Sequence, residues 1–173
     1  EGRLPGYEVN VKPLPSQLAA FQRITLLSPE EAEPQLQALR RELSARVIRA
    51  GLRPLHQWLL LHAEKEYSAH KQEVELGLLL AGAPELPSRT ASFSLRQLPA
   101  VTSAASLLHM GSRQALRDSY TALYAWVEAH HYSPISPARE LLLADPSLST
   151  PPAFTELQLP VESLHERQHK YLS

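Results

Sequence analysis

The chain has 173 residues, with 17 basic and 18 acidic side chains, eight histidines and no cysteine. That length suits one full-sized domain or two small ones, and 43% hydrophobic residues are enough for a packed core. The near-neutral charge argues against direct nucleic-acid contact by this chain. The missing cysteines exclude disulfides and thiolate metal sites, and no apolar run reaches the roughly 18 residues of a membrane span.

The chain opens EGRLPG, without a methionine or a visible signal peptide, which reads as a fragment or processed form. YEVNVKPL, residues 7–14, alternates Tyr7, Val9 and Val11 with polar neighbours, the pattern of a half-buried strand. After the Pro15-Ser16 turn, LAAFQRITL reads as a second strand carrying Phe21. Ser28, Pro29, Glu30 and Glu31 form a helix start, with a cap, a proline at the first position and acids in the first turn. This helix is expected to reach Ala50 and stop at Gly51, with Leu36, Leu39, Leu43, Val47 and Ile48 as its apolar stripe. HQWLLLHA (56–63) and VELGLLLA (74–81) read as strands joined by the polar loop AEKEYSAHKQE, and GAPELPS (82–88) as a connector.

The order then recurs. ASFSLRQLP (91–99), with Phe93 and Leu95 on one face, and the weaker VTSAASLLHM precede a helix capped by Ser112 and ending near His130. Its stripe is Leu116, Tyr120, Leu123, Tyr124 and Val127, with Trp126 off the stripe. RELLLA and FTELQLP complete the set. Leu59-Leu60-Leu61 and Leu141-Leu142-Leu143 lie 82 residues apart, and neighbouring matches differ by only a few residues. The expected fold is therefore α+β: a duplicated strand-strand-helix-strand-strand unit with pseudo-two-fold symmetry and antiparallel strands around a central ligand pocket. It forms one domain over 1–173, with repeats at about 7–82 and 90–160 and a tail at 161–173.

In RELLLA, Glu140 and Leu142 share a face, and the repeat places Glu140 over Trp58. If both face the cleft, the pocket has an aromatic wall and a carboxylate, which suits a flat apolar cation. Alternatively Glu140 is solvated, or paired with Arg139 or another arginine. Glu156 shares a face with Phe154 and Gln158 and either faces solvent or pairs. His56 and His62 have Trp58's parity and would edge the pocket. Phe21, Phe93 and Phe154 are strand aromatics that could line it, and Tyr120 and Tyr124 fit either core or ligand contact. His165-Glu166-Arg167-Gln168-His169 matches H-E-x-x-H, but it lies at the chain's end with no third ligand after it and reads as a polar tail helix. His130 and His131 end the second helix, where a cation suits the helix dipole.

YEVNVKPLPSQLAAFQ, YTALYAWVEAHHYSPISPARELLL and STPPAFTELQLPVE together resemble the GyrI-like family. These are effector-binding domains of bacterial AraC- and MerR-type transcription regulators, including multidrug-responsive ones. The resemblance implies a two-copy fold, a central pocket for small aromatic or cationic compounds, and a role for Glu140 as the pocket glutamate. It also implies a cytoplasmic protein that needs no cofactor and has no enzymatic activity, with an upstream DNA-binding domain or a homodimer as the wider context. Some relatives hydrolyse reactive small molecules or sequester a partner protein, which leaves those as alternatives. Leu61 stands where family members often carry a tyrosine, and the 64–73 loop lacks their proline-rich character.

Overall fold

The computed structural model describes residues 7–63, 72–82, 93–143 and 154–172. Strands β1 (Val9–Leu14) and β2 (Gln17–Leu26) lead into helix α1 (Pro29–Arg49), followed by β3 (Pro54–His62) and β4 (Gln72–Leu80). The second half runs β5 (Ser94–Leu98), β6 (Val101–Met110), α2 (Leu116–Ala129), β7 (Tyr132–Pro134), β8 (Arg139–Leu143), β9 (Phe154–Ser163) and α3 (Leu164–Tyr171). The connector at 83–88 and the loops at 64–71 and 144–153 lie outside the described residues.

The fold is α+β, built on one large antiparallel sheet in the order β1-β6-β9-β8-β3-β4-β2-β5, with β7 paired to β9. Exchanging β1 with β5, β2 with β6, β3 with β8 and β4 with β9 reverses this order onto itself. The first strand of each half pairs with the other half: β1 lies on β6 and β5 on β2. At the centre β3 meets β8, pairing Trp58 with Leu142 and Leu60 with Glu140.

Both long helices cover the same face of this sheet. Leu36, Leu39, Leu43 and Val47 of α1 pack with Ala20, Trp58, Leu60, Leu76 and Leu78. Leu116, Tyr120, Leu123 and Val127 of α2 pack with Ala105, Leu107, Leu157 and Leu159. Ile48, placed in the first stripe by its spacing, is 57% exposed, because it follows Val47 by a 100° turn that carries it off the buried face. The opposite sheet face carries a smaller cluster of Ala19, Phe21, Leu59 and Leu79.

The strand expected at VTSAASLLHM is present, and two elements differ from the sequence reading. VTSAASLLHM, which has weak alternation, is a full ten-residue strand paired on both sides, by β1 and β9. Its alanines, Ala104 and Ala105, are fully buried between the two neighbouring strands. The segment after Ser112 opens as a 3-10 turn, Arg113–Ala115, before α2 begins at Leu116. Ser112 O accepts both from Ala115 N and from His109 Nε2, which favours the tighter i→i+3 closure. β7 is short and without alternation, and its pairing to the end of β9 is fixed by tertiary contact.

Candidate functional site

Strand parity puts Glu140 on the helix-covered face, between Leu60 of β3 and Leu157 of β9. Its exposure is 0%. A lone carboxylate there would protonate or destabilise the fold by several kcal/mol. Two side chains from distant segments meet it instead. His62, at the end of β3, places Nε2 2.6 Å from Oε2. Arg113, from the 3-10 turn, donates through Nη2 to Oε2 at 3.3 Å, while Nη1 lies 3.1 Å from Oε1 as an ion pair without hydrogen-bond alignment. Burial raises the affinity of Glu140 for a proton, but the charges and hydrogen bonds of Arg113 and His62 outweigh it, leaving a pKa of about 2. The carboxylate is thus ionised and internally neutralised. Arg139 is not its partner: it follows the opposite parity, and burial lowers its own pKa.

The turn that supplies Arg113 is itself held. His109 Nε2 donates to Ser112 O at 2.9 Å, so in the neutral ring Nδ1 accepts from the Ser119 hydroxyl at 2.6 Å. His109 and Ser119 are both buried, and the turn also rests against α1 of the first half.

Other side chains extend the cluster. The Tyr120 ring meets His62 edge-on with centroids 6.2 Å apart, and Tyr124 stacks beyond Tyr120 at 6.5 Å. Trp58, 8% exposed, and Leu142 form a cross-strand pair on the same face, and Phe93 packs in the same core cluster as Trp58. Glu140, Trp58, Leu142, Phe93, Tyr120 and Tyr124 therefore share one side of the sheet.

The remaining candidates lie elsewhere. Phe21 is on the opposite face beneath the Arg96 guanidinium, 4.2 Å from its ring centre. Glu156 shares that opposite face with Phe154, where it pairs with Lys12 at 2.5 Å and accepts from Ser106 at 2.8 Å, which lowers its pKa despite partial burial. His56 is exposed at a bulge between Pro54 and Trp58, with φ of +58°, so the expected parity with Trp58 fails there. His62, beyond the bulge, keeps it. Arg113 carried no sequence signal, because it is 27 residues from Glu140 in an irregular turn.

A cavity of about 360 Å³ opens at the ends of β2, β3 and β4, lined among others by Arg23, Leu61, His62, Glu73 and Glu75. His62 is the member of the Glu140 cluster that borders it. His165 and His169 are exposed on α3, and no group of three metal-ligating side chains occurs among the described residues. No described helix is long and apolar enough to cross a membrane.

No family profile and no curated protein matches the sequence. Solved structures do match in fold. The EcmrR chain of an EcmrR–DNA complex superposes with a TM-score of 0.76 at 22% identity, over 93% of this chain and 59% of that one. This chain thus spans about three fifths of that EcmrR chain. The EcmrR C-terminal domain matches with a TM-score of 0.74 at 22% identity, over 91% of this chain and 98% of that one. SAV2435 bound to tetraphenylphosphonium matches with a TM-score of 0.55 at 13% identity, over 94% and 98%. These likenesses are of fold, and they agree with the GyrI-like resemblance read from the sequence.

Proposed function

We propose that this GyrI-like fold serves as a small-molecule sensor within a transcription regulator, taking a hydrophobic, aromatic ligand where its two halves meet. The carrying observation is the fully buried Glu140 carboxylate at the β3–β8 seam, held by the largely buried Arg113 and His62. Buried ion pairs contribute little net stability compared with apolar packing, so one retained beneath both core clusters points to a site. Trp58, Tyr120 and Leu142 supply apolar area around it, and His62 links it to the open cavity. The fold shared with the C-terminal domain of EcmrR, a protein seen in complex with DNA, supports the regulatory setting. In that setting an attached DNA-binding domain, rather than this chain, contacts DNA. Ligand binding would then bias the regulator by differential affinity for its two states.

The test is titration of the chain with apolar aromatic compounds, followed by tryptophan fluorescence and thermal stability. At 100 times the dissociation constant a ligand adds about 2.7 kcal/mol of stability, readable as a rise in Tm. Absence of saturable binding across the panel would sink the sensing role.

One observation favours a second reading. His62 and Glu140 sit 2.6 Å apart beside a cavity, an arrangement able to orient a general base. A Listeria innocua protein of similar fold, with a TM-score of 0.57 at 13% identity over 92% of this chain and 94% of that one, is described as a hydrolase. Turnover of activated esters that disappears in His62→Ala would replace sensing by hydrolysis, whereas binding without product would leave sensing in place.

A further inference from the structure

We propose, building on the sensing role above, that Arg113 is the residue that sets ligand charge: it occupies the place of a cation against Glu140 and restricts the site to neutral or anionic apolar molecules. The sequence alone suggested the reverse, a carboxylate waiting for a cationic guest. The geometry leaves no such vacancy. Glu140 is wholly buried, and the Arg113 side chain is only 9% exposed, with contacts of 3.1 and 3.3 Å between them. A guanidinium stays protonated at any ordinary pH. The trio of Glu140, Arg113 and His62 therefore carries zero net charge, or +1 when His62 is protonated. Within this trio no uncompensated negative charge remains for a guest.

A cationic ligand could reach Glu140 only by expelling Arg113. Two features oppose this. The turn carrying Arg113 is pinned by His109 and by its own i→i+3 bond through Ser112 O, and it rests on α1. Glu140 is flanked by Leu60 and Leu157, so an expelled guanidinium finds no second carboxylate at the paired position of either neighbouring strand. The cavity beside His62 does not restore a preference for cations. Glu75 on its wall is already paired with Arg96 at 3.1 Å, and the Arg23 cation lines the same wall as Glu73. A neutral ligand entering past His62 leaves every pair intact, and an anionic group gains attraction to the guanidinium.

The experiment uses the 173-residue chain and three probes of similar shape: tetraphenylphosphonium, triphenylphosphine oxide and tetraphenylborate. Affinities are read by tryptophan quenching and Tm shift for the parent, Arg113→Met, Arg113→Lys and Glu140→Gln. The parent is expected to bind the neutral or anionic probe at least tenfold more tightly than the cation. Arg113→Met should improve cation affinity tenfold or more, Arg113→Lys should keep the parental order, and Glu140→Gln should leave cation affinity no weaker. A parent that binds the cation as well as the neutral probe, and loses it tenfold in Glu140→Gln, overturns the role of Arg113 while sensing stands. If none of the proteins binds any probe saturably, the sensing role falls and this inference with it. Should Arg113→Met fail to fold, the comparison of parent with Glu140→Gln decides the question alone.

Discussion

Glu140 ties proton binding to folding. Its pKa is about 2 in the folded chain against an ordinary 4.5, so the folded state holds this proton less tightly than the unfolded one. The resulting stabilisation, on the order of 3 kcal/mol, is fully present above pH 4.5 and is lost as the pH falls toward 2. Acid titration of stability should therefore be steep between these values in the parent and shallower in Glu140→Gln, as followed by circular dichroism. The pair also makes a mutational prediction. Removing one partner of a buried ion pair leaves the other uncompensated, which costs about 3–5 kcal/mol, while replacing both with apolar residues of similar size is close to neutral. Arg113→Met alone should lower stability strongly, and Arg113→Met with Glu140→Leu should recover most of the loss in urea denaturation. The position of Glu140 was legible in the sequence, since period-2 parity and the 82-residue repeat put it beside Trp58 and Leu142. Its partners were legible unequally. Strand parity put His62 at the pocket's edge without pairing it to Glu140, and Arg113 sits on a turn, where no periodicity links a side chain to a distant strand.

Among the elements, α1 shows how far helical spacing reaches. Leu36, Leu39, Leu43 and Val47 are buried as their three- and four-residue intervals require, while Ile48 is not. Leu43→Ala should cost about 2–5 kcal/mol, and Ile48→Ala should stay within about 0.5 kcal/mol, a contrast measurable by chemical denaturation. On β4, Gly77 answers a packing demand on the other sheet face. A Cβ built there would lie 2.5 Å from Cε1 of Phe21, which pairs across the strand. Gly77→Ala is expected to destabilise by about 1–3 kcal/mol through overpacking. Adding Phe21→Leu should return part of that loss, so the two effects should not sum. The sequence did show Gly77 interrupting an apolar run, but the ring it admits belongs to a strand more than fifty residues earlier. The bulge before Trp58 is likewise invisible to alternation, which is why His56 points away from the site while His62 reaches it.

At the scale of the whole molecule, the two halves are joined by three seams: β1 on β6, β2 on β5, and β3 on β8. The strand order is palindromic under exchange of the two halves, while duplication itself is a reading of the sequence. Because each half lends its first strand to the other, neither has its full set of strand partners alone. Thermal unfolding of the chain should therefore be one cooperative transition, with far- and near-ultraviolet dichroism coinciding. Two separable transitions would show that the halves fold independently. Which strands alternate and where the helices lie could be read from local pattern. The exchange of first strands could not, since pairing between β1 and β6 depends on contacts nearly a hundred residues apart.

The crossed strands also give the molecule a use as an instrument. A cut between residues 83 and 92 would sever the backbone between the halves and leave all three seams to form between two separate polypeptides. Expressed apart, the fragments should remain unstructured; expressed together, they should find one another as complementary pieces. Since the proposed ligand sits at the central seam, its presence would favour the joined form by mass action. Fused to the halves of a luminescent enzyme, the fragments would then report an effector as light, turning the exchange of the two edge strands into a split biosensor.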